Sequence, residues 1–505
     1  MKTHSKKDPM SSQPAAAPIE TDADLLERHA AERPDDRALG CAGEWLTFGE
    51  WAERVRTVAA ELTAAGEAGK SVGLLFERED AIPFLVAYLG SQAAGCTPVP
   101  INARLTDSER DAQLEGAGVR VLLSTGGIDR LNESEGRELL DGEGRPLAVV
   151  LYTSGTTQAP KGVMVSHAML REAAISCTRF VYPGRRDRED LTGRHRDIDS
   201  EDTIVTTFPV YSSMSIEGVV NVALWSGAAQ YYMPKFDGST FAADLEEADG
   251  TIFVAPPAMM ALWRQGDEDP RPVARAYVMA GAPMSTDLAA WTVDVLDDRS
   301  ELVSWYGLTE GGGTFVALGR ELADHVGAIG KTLPDEVFRI VDDSGEDSNA
   351  GELIFSLRDG ETMEGYLNRP DLTEAVIGED GWFRTGDLVE IEDDIVCLRG
   401  RRQEWINRGG YKIYPAEIED LATTVGGVLD AVAVGVHHEV LGEDIGLCVE
   451  VASSHDHDEV EAEIRRRVAE DLADYKRPRK IVVTDCLPRN SNGKVVRAET
   501  REWFR

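Results

Sequence analysis

A short run of small residues, hydroxyl groups and one lysine has the chemistry to bind phosphates. The residues that carry this chemistry are Thr153, Ser154, Gly155, Thr156, Thr157 and Lys161. Small residues allow backbone N–H groups to point at an anion, the hydroxyls add short donors, and the lysine adds a positive charge. The run is not a Walker A loop, because that motif ends in Gly-Lys-Ser/Thr and Gly162 follows the lysine here. The apolar residues 147–152 ahead of the run predict a buried strand. Taken alone, the run also fits an ordinary turn after that strand.

Two further segments contain residue types that suit a nucleotide and a metal ion. In residues 304–310, the ring of Tyr306 offers a flat face for a base, and Glu310 offers a hard oxygen for Mg²⁺. In residues 381–387, the carboxylate of Asp387 can accept hydrogen bonds from two ribose hydroxyls. Each segment alone also fits a strand end or a turn with an exposed acid.

Two segments near the C-terminus add positive charge and backbone freedom. Residues 400–415 contain Arg401, Gln403 and the pair Gly409 and Gly410, whose lack of side chains lets a ligand pass close to the backbone. Lys494 follows a glycine within residues 487–497. Without further context, the first segment fits a basic surface turn and the second fits a solvated lysine.

In their residues and their order, these five segments resemble the adenylate-forming superfamily, and the resemblance extends over residues 46–497. This superfamily comprises acyl- and aryl-CoA synthetases, adenylation domains of peptide synthetases, and luciferases. The resemblance implies four catalytic residues, which are Lys161, Thr309, Glu310 and Lys494. Glu310 would hold Mg²⁺, Thr309 would touch the α-phosphate or the acyl group, and Lys494 would bridge the attacking carboxylate and the α-phosphate.

The resemblance also implies where the nucleotide and the thiol bind. The implied ATP site consists of Thr153, Ser154, Gly155, Thr156, Thr157, Gly281, Ala282, Pro283, Tyr306, Gly307, Asp387 and Arg401. Gly409 and Gly410 would line a tunnel for the thiol, and Gln403 occupies the hinge position. The chain departs from the family pattern at Gln158, where relatives have glycine, and at Gln403, where relatives have Asp or Lys.

The reaction that the resemblance implies has two steps. A carboxylate attacks the α-phosphorus of ATP, which releases pyrophosphate and leaves an acyl-adenylate. A thiol of CoA, or of the phosphopantetheine on a carrier protein, then replaces AMP. In the family, the C-terminal domain rotates about the hinge between these steps, so that Lys494 leaves the site before the thiol attacks.

The acid pocket is expected at residues that flank these motifs, namely Tyr211, Ser212, Ser213, Ile216, Val278, Ala280 and Trp305. No Asp lies near Ser212 to hold an α-ammonium, which favours an acid without an α-amino group, although Glu217 keeps an amino-acid substrate open. Gly307 is small, which favours an acid larger than acetate, and Trp305 narrows the pocket in favour of aryl or short-to-medium acyl chains. The same residues also fit a simple apolar core.

The elements that must position these residues alternate between strands and helices along most of the chain. This alternation predicts an α/β fold with a large N-terminal domain of layered, mainly parallel sheets. Beyond Gly330 short alternating strands predict a β-rich subdomain, and the last hundred residues predict a small mobile α+β domain. We expect a disordered tail at residues 1–18, an adenylation domain at 19–400 and a C-terminal domain with the catalytic lysine at 401–505.

Composition excludes several function classes. Among 505 residues, 52 are basic and 90 acidic, and the net charge of −38 repels nucleic acid and anionic membranes. The sequence has no apolar run long enough for a membrane span and no apolar stretch behind its charged start, so no secretion signal is expected. Six cysteines lack metal or disulfide spacing, which indicates a reduced, cytoplasmic protein.

Three functions remain open at this point. The first is a stand-alone acid–CoA ligase. The second loads an amino or carboxylic acid onto a carrier protein in trans, which would dock at the basic residues within 399–412. The third is a catalytically silent protein that binds nucleotide or ligand, which only Gln158 and Gln403 favour.

Overall fold

The computed structural model describes residues 20–132, 136–153, 160–178, 197–266, 273–296, 299–311, 315–331, 338–357, 362–378, 381–402, 404–489 and 495–505. Several predictions fall outside these residues. They concern the tail at 1–18 and the residues Ser154, Gly155, Thr156, Thr157, Gln158, Gln403 and Lys494.

The described part of the chain forms strands throughout its length. The strands are β1 (Arg37–Cys41), β2 (Glu44–Thr47), β3 (Ser71–Phe76), β4 (Thr97–Asn102), β5 (Val121–Ser124), β6 (Gly127–Arg130), β7 (Val149–Thr153), β8 (Lys161–Val165), β9 (Thr203–Thr206), β10 (Ala229–Tyr232), β11 (Ile252–Ala255), β12 (Ala276–Ala280), β13 (Glu301–Tyr306), β14 (Phe315–Leu318), β15 (Ala328–Lys331), β16 (Phe338–Val341), β17 (Ala350–Ser356), β18 (Gly365–Tyr366), β19 (Trp382–Glu392), β20 (Ile395–Arg401), β21 (Ile406–Arg408), β22 (Tyr411–Ile413), β23 (Val428–His438), β24 (Gly442–Val451) and β25 (Lys480–Thr484).

Helices connect most of the strands. They are α1 (Asp22–Glu32), α2 (Phe48–Ala64), α3 (Ala81–Ala93), α4 (Asp107–Gly116), α5 (His167–Thr178), α6 (Ser213–Ser215), α7 (Asn221–Ser226), α8 (Phe241–Glu247), α9 (Pro257–Arg264), α10 (Thr286–Val295), α11 (Gly319–Asp324), α12 (Pro370–Val376), α13 (Pro415–Thr423), α14 (His457–Asp471) and α15 (Arg497–Glu502). A π-helix (Ile216–Val220) joins α6 to α7, and a 3₁₀-helix (Asp474–Lys476) precedes β25.

The largest sheet has eight strands in the order β14-β13-β12-β11-β9-β10-β1-β2. Its strands β1, β9, β10, β11, β12 and β13 pair in parallel, and the edge strands β2 and β14 are antiparallel. A second sheet, β4-β3-β5-β6, is parallel except for β6. Parallel pairing requires a crossover between strands, and the helices of the alternating sequence pattern provide it.

Apolar residues fill the layers on both faces of the large sheet. Along β12, Val278 and Ala280 face one core, and Tyr277 and Met279 face the other, because successive side chains of a strand point to opposite faces. Helix α3 lies inside the first core and is buried around nearly its whole circumference. This explains why its sequence is apolar on all sides.

Two β-rich units follow the large sheet. Strands β15-β20-β19-β17-β16 form an antiparallel sheet. The C-terminal residues form a separate sheet, β22-β21-β24-β23, with β25 parallel to β24, and helices α13 and α14 pack against its apolar face. The predicted α/β fold, with a large N-terminal domain and a small α+β C-terminal domain, is confirmed.

Local helix signals in the sequence also hold. Thr47, a residue type typical of a helix N-cap, precedes α2. Its hydroxyl accepts the Glu50 N–H while the Glu50 carboxylate accepts the Thr47 N–H. This reciprocal arrangement satisfies two backbone donors at the helix start. None of the helices in the described ranges combines the length and apolar character that a bilayer crossing needs.

Candidate active site

The lysine of the hydroxyl-rich run lies on a strand. Residues Lys161–Val165 form β8, antiparallel to β7, with Thr153 opposite Lys161. Helix α5 begins only at His167. The run therefore connects two paired strands, and β8 lies between the run and the helix. Cross-strand hydrogen bonds fix the backbone at Thr153 and Lys161, the two residues that bracket residues 154–160.

Lys161 and Glu310 are joined through a buried tyrosine. The Nζ of Lys161 lies 4.8 Å from the ring centroid of Tyr366. The hydroxyl of Tyr366 donates to Oε1 of Glu310 at 2.7 Å. Burial raises the pKa of Tyr366, and the charge of Glu310 adds to this effect, so the phenol stays a donor. We call Lys161, Tyr366 and Glu310 the lysine–tyrosine–glutamate array.

Strand pairing brings these three residues together. Tyr366 belongs to β18, which pairs with β8 so that Tyr366 lies opposite Val163. Glu310 lies in the turn after β13, where its carbonyl accepts the Met363 N–H at 3.0 Å. Thr309 lies in the same turn and is partly exposed, as is Glu310, whereas Gly307 is exposed. The turn therefore presents Thr309 and Glu310 at the carboxyl end of a strand in the large sheet, where α/β folds bind ligands.

A second array surrounds Asp387, whose side chain is buried. The hydroxyl of Tyr306 donates to Oδ2 of Asp387 at 2.5 Å, and Nε of Arg401 donates to Oδ1 at 3.0 Å. Asp387 and Arg401 face each other across β19 and β20. Burial raises the pKa of Tyr306, and the Asp387 charge raises it further. Because its oxygens already accept these two bonds, Asp387 is held in a fixed orientation.

Residues beneath Asp387 support its position. The N–H of Asp387 donates to the hydroxyl of Thr385 at 2.9 Å, and the N–H of Gly386 donates to Oε1 of Glu352 at 3.0 Å. The Thr385 hydroxyl donates in turn to the Leu353 carbonyl at 2.6 Å. This network fixes the backbone around Asp387 before any ligand binds.

The predicted ATP residues at 281–283 form the turn between β12 and α10. Gly281 has φ of +79°, a left-handed conformation that favours glycine, and a Cβ there would lie 3.4 Å from the Phe208 ring. Gly281 and Pro283 are exposed, and Ala282 is partly exposed. The turn therefore presents backbone rather than side chains at the carboxyl end of β12.

The predicted acid-pocket residues lie around one face of the large sheet. Ala280 lies opposite Trp305 across β12 and β13, and Val278, Ala280, Trp305 and Ile216 belong to the same buried cluster. The hydroxyl of Ser212 caps α6, whereas Tyr211 and Ser213 are partly exposed. Ile216, Val278, Ala280 and Trp305 thus belong to one buried cluster, and Tyr211 packs against it. Their contact with an acid remains a prediction.

The glycines of the predicted thiol tunnel form the β21–β22 turn. Gly409 and Gly410 have φ of +60° and +94°. The Gly409 N–H donates to the Leu441 carbonyl at 2.8 Å, and the Gly410 N–H donates to Oδ1 of Asn407 at 3.1 Å. These bonds remain inside the C-terminal domain, so they define the turn but give no link to the two arrays.

A metal site built by protein side chains alone is not found among the described residues. No group of three or more His, Cys, Asp or Glu in those ranges is placed to hold a metal ion. Glu310 still suits Mg²⁺, because Tyr366 engages only its Oε1 and no contact in the described ranges engages Oε2. Mg²⁺ commonly takes one or two carboxylates together with substrate phosphates.

Two residues of this site have surroundings that the sequence did not indicate. Tyr366 was not singled out in the sequence, because nothing local indicated that its hydroxyl reaches Glu310. Glu217 was noted as an acid near Ser212 that keeps an amino-acid substrate open. In the structure its Oε1 is buried without a hydrogen-bond partner among the described residues.

The sequence of the chain matches two family models and is similar to enzymes of known activity. Residues 26–367 match the AMP-binding enzyme family, and residues 417–494 match the AMP-binding enzyme C-terminal domain. The chain is 29% identical to 4-coumarate–CoA ligase 5 of Oryza sativa subsp. japonica, over 95% of this chain and 93% of that protein. It is 28% identical to the long-chain-fatty-acid–CoA ligase FadD13 of Mycobacterium tuberculosis (strain CDC 1551 / Oshkosh), over 91% and 93% of the two chains.

A solved structure agrees with this match. The fold superimposes on that of an ATP-bound RpMatB–BxBclM chimera with a TM-score of 0.79 and 25% identity, over 95% of this chain and 99% of the chimera. The two family regions together span most of the chain, and the lysine–tyrosine–glutamate array lies within the first of them, whereas Asp387 and Arg401 lie between the two. The chain therefore belongs to the AMP-binding enzyme family and is an adenylate-forming enzyme.

Proposed function

We propose that this enzyme activates a carboxylic acid with ATP and transfers the acyl group to the thiol of CoA. The main observation in support of the proposal is that both arrays include a residue at the carboxyl end of β13 or in the turn that follows it. Tyr306 ends β13 and donates to Asp387, and the turn that follows presents Glu310, which Tyr366 connects to Lys161. A nucleotide held at Asp387 would have its phosphates near a cation and a carboxylate that suits Mg²⁺.

In the first step, a carboxylate oxygen of the acid attacks the α-phosphorus of ATP. The bond between the α-phosphorus and its bridging oxygen to the β-phosphate breaks, pyrophosphate leaves, and an acyl-adenylate remains. Lys161 would stabilise negative charge on the phosphates, and Asp387 would hold the ribose. Mg²⁺, held through Glu310, would neutralise charge on phosphate oxygens. Positioning and electrostatics thus account for the step, with no covalent intermediate on the protein.

In the second step, the sulfur of CoA attacks the acyl carbonyl. A carbon–sulfur bond forms, the bond between the acyl carbon and the AMP oxygen breaks, and AMP leaves while the thiol proton passes to solvent. Lys494 is proposed to act only in the first step. Gly409 and Gly410 are proposed to line the path of the thiol, because their turn offers backbone without side chains.

CoA is favoured over a carrier protein by the charges around residues 399–412. Three arginines there already face carboxylates. Arg399 pairs with Glu390 at 3.2 Å, Arg402 pairs with Asp343 at 3.1 Å, and Arg408 pairs with Asp444 at 2.8 Å. Arg408 is also buried, and the pairing of Arg399 and Arg402 reduces the positive charge that an acidic carrier would need. The relatives named CoA ligases support the same choice.

The acid is proposed to be larger than acetate, and to be aryl or of short-to-medium length. Gly307 leaves room beside the phosphates, whereas Trp305 closes one side of the pocket. Because Trp305 is buried in the same cluster as Val278 and Ile216, its ring is held in place rather than free to swing aside. We further propose that the enzyme works in the cytoplasm, in a biosynthetic pathway.

Pyrophosphate release across a panel of acids, followed by mass detection of acyl-CoA, tests this function. We expect release that depends on the acid, on ATP and on Mg²⁺, and an acyl-CoA product when CoA is added. Replacing Glu310 with Gln should reduce release strongly while leaving the fold intact. Release without acyl-CoA would point to a carrier protein, and no release with any acid would contradict the proposal in favour of a silent binding protein.

A further inference from the structure

A carboxylate of the C-terminal domain binds the start of a helix in the N-terminal domain. Oδ1 of Asp420, on α13, accepts the Thr286 N–H at 3.0 Å, and Oδ2 accepts the Thr286 hydroxyl at 3.0 Å. Thr286 is the first residue of α10, so its N–H is one of those at a helix start that have no partner within the helix. Asp420 therefore supplies, from another domain, a hydrogen bond that α10 cannot make by itself.

The charge of Asp420 suits this position. The start of a helix carries a partial positive charge, which favours a carboxylate there. Asp287, the next residue of α10, is also acidic, but Arg264 pairs with its carboxylate at 2.6 Å. This pairing reduces the repulsion that Asp287 exerts on Asp420. The contact between Asp420 and Thr286 is therefore favourable in a chain that is strongly acidic overall.

The apolar clusters of the two domains are separate. Within the described ranges, the clusters of the N-terminal domain contain residues up to 398, and those of the C-terminal domain contain residues from 406 onward. Domains that share no apolar core are expected to move relative to each other, and individual polar contacts then decide which orientation is favoured. The two bonds of Asp420 are contacts of this kind.

The contact connects two segments that the first step needs. On one side, α10 follows the turn at 281–283 that is predicted to bind ATP. On the other side, Glu419, next to Asp420 on α13, binds the guanidinium of Arg497 through both of its oxygens. Arg497 lies three residues after Lys494 in the sequence. Because α13 packs into the apolar cluster of the C-terminal domain, Asp420 fixes the segment at Arg497 relative to the ATP turn.

The same orientation leaves the predicted thiol path exposed to solvent. Gly409 and Gly410 are exposed, and Tyr411 beside them is 57% exposed. In the proposed second step these glycines line the path of the thiol to the acyl carbonyl. The C-terminal domain must therefore turn before that step, and α13 must then leave the start of α10.

We propose that Asp420 is a positioning residue for the adenylation step, and that its bonds to Thr286 break before the thiol of CoA attacks. The inference rests on the proposed function, because it assigns a residue to the change between the two proposed steps. Asp420 acts through the orientation of the C-terminal domain. Its contact favours the first step over the second, and the strength of the contact sets the ratio of the two rates.

Separate measurement of the two steps tests the inference. Single-turnover formation of acyl-adenylate reports the first step, and transfer from a supplied acyl-adenylate to CoA reports the second. Asp420→Ala should slow the first step and accelerate the second, so that the ratio of the two rates falls by about tenfold. This is the lower part of the range for hydrogen bonds to a charged group, because Asp420 is partly exposed. Thr286→Val keeps the N–H and should lower the ratio by a smaller factor.

Two further variants separate positioning from a general loss of stability. Asp420→Asn keeps an acceptor oxygen and should give a ratio between those of the wild type and Asp420→Ala. Asp456→Ala is a matched control, because the Asp456 carboxylate also binds N–H groups at a helix start, but within the C-terminal domain. It should leave the ratio unchanged even if it lowers Tm.

Hydrogen exchange at the Thr286 amide gives a readout that does not depend on activity. In the wild type, protection should be high with ATP. It should fall when CoA is added to the enzyme with a sulfamoyl analogue of the acyl-adenylate, which cannot transfer its acyl group. In Asp420→Ala the two states should exchange alike.

The outcomes distinguish the inference from the proposed function. If Asp420→Ala changes both steps equally or changes neither, the inference is wrong while acid activation stands. If Thr286 protection does not fall when CoA is added, the contact persists in the second step and the inference is again wrong. If no acid of any kind releases pyrophosphate, the proposed function fails and the inference fails with it.

Discussion

Replacing Tyr366 with Phe removes one hydroxyl from the lysine–tyrosine–glutamate array and leaves the ring in place. The hydroxyl donates to Glu310 at 2.7 Å, and the ring lies 4.8 Å from Nζ of Lys161. Tyr366 is only 4% exposed, so water cannot readily replace the lost donor. The Glu310 carboxylate would then lose the contact that orients it toward the phosphates.

The structure allows the size of the effect to be worked out. A hydrogen bond to a charged group contributes about 1.5–3 kcal/mol, so Tyr366→Phe should lower kcat/KM for ATP by about 10- to 150-fold. Tyr366→Leu also removes the aromatic face under Lys161, which contributes about 0.5–2 kcal/mol. The leucine variant should therefore be weaker than the phenylalanine variant by a further factor of about 2 to 30.

Single-turnover formation of acyl-adenylate is the assay of choice, because it isolates the step in which ATP reacts. Transfer from a supplied acyl-adenylate to CoA should be nearly unchanged in both variants. Tyr277→Phe is a suitable control, since that hydroxyl accepts N–H groups of Val273 and Ala274 in the core on the other face of the large sheet. This control should keep the wild-type rate.

A double-mutant cycle decides whether the loss passes through Glu310. In a Glu310→Gln background, Tyr366→Phe should cost much less than in the wild type, because the charged acceptor is already gone. A rate within twofold of the wild type for Tyr366→Phe would refute this reasoning. An equal loss in both backgrounds would show that the hydroxyl acts on something other than Glu310.

Three further predictions follow from other parts of the chain. Burial raises the pKa of Asp22 to about 7 from an ordinary value of 3.8. Between these two values the folded state keeps a proton that the unfolded chain releases. The free energy of unfolding that Asp22 contributes therefore falls as pH rises from about 4 to about 7. Asp22→Asn should therefore raise Tm at pH 8 but not at pH 4 in thermal melts, and equal shifts at both would contradict this. Asp420 accepts the Thr286 N–H at 3.0 Å and the Thr286 hydroxyl at 3.0 Å. Asp420→Ala should therefore lower the hydrogen-exchange protection of the Thr286 amide by about tenfold or more. Unchanged protection would show that the packing of α13 on α10 does not depend on the Asp420 carboxylate. Lys494→Ala should abolish adenylation and spare transfer from a supplied acyl-adenylate, whereas normal pyrophosphate release would rule out its role.

Much of the fold was predictable because its signals are local. Alternating strands and helices, apolar strand ends and the Thr47 cap each depend on residues within a few positions of one another, and all agree with the structure. Local signals did not decide the structure of the segment directly after Gly162. Its apolar residues fit either a helix or a strand, and the pairing of β8 with β7 on one side and β18 on the other selected the strand.

The sequence by itself determined the chemistry that the site can perform, since the hydroxyls, the lysines, Glu310 and Asp387 are present in a recognisable order. Only the tertiary structure decided which of them act together. Tyr306 reaches Asp387 and Tyr366 reaches Glu310 across separations of 81 and 56 residues. Each array takes one residue from this part of the chain, because Tyr306 ends β13 and Glu310 lies in the turn that follows. It likewise paired the arginines within residues 399–412 with carboxylates and left Glu217 enclosed without a partner. The physical reason is that propensity and periodicity act over a few residues, whereas these contacts depend on the register of strands that pair only when the whole domain folds.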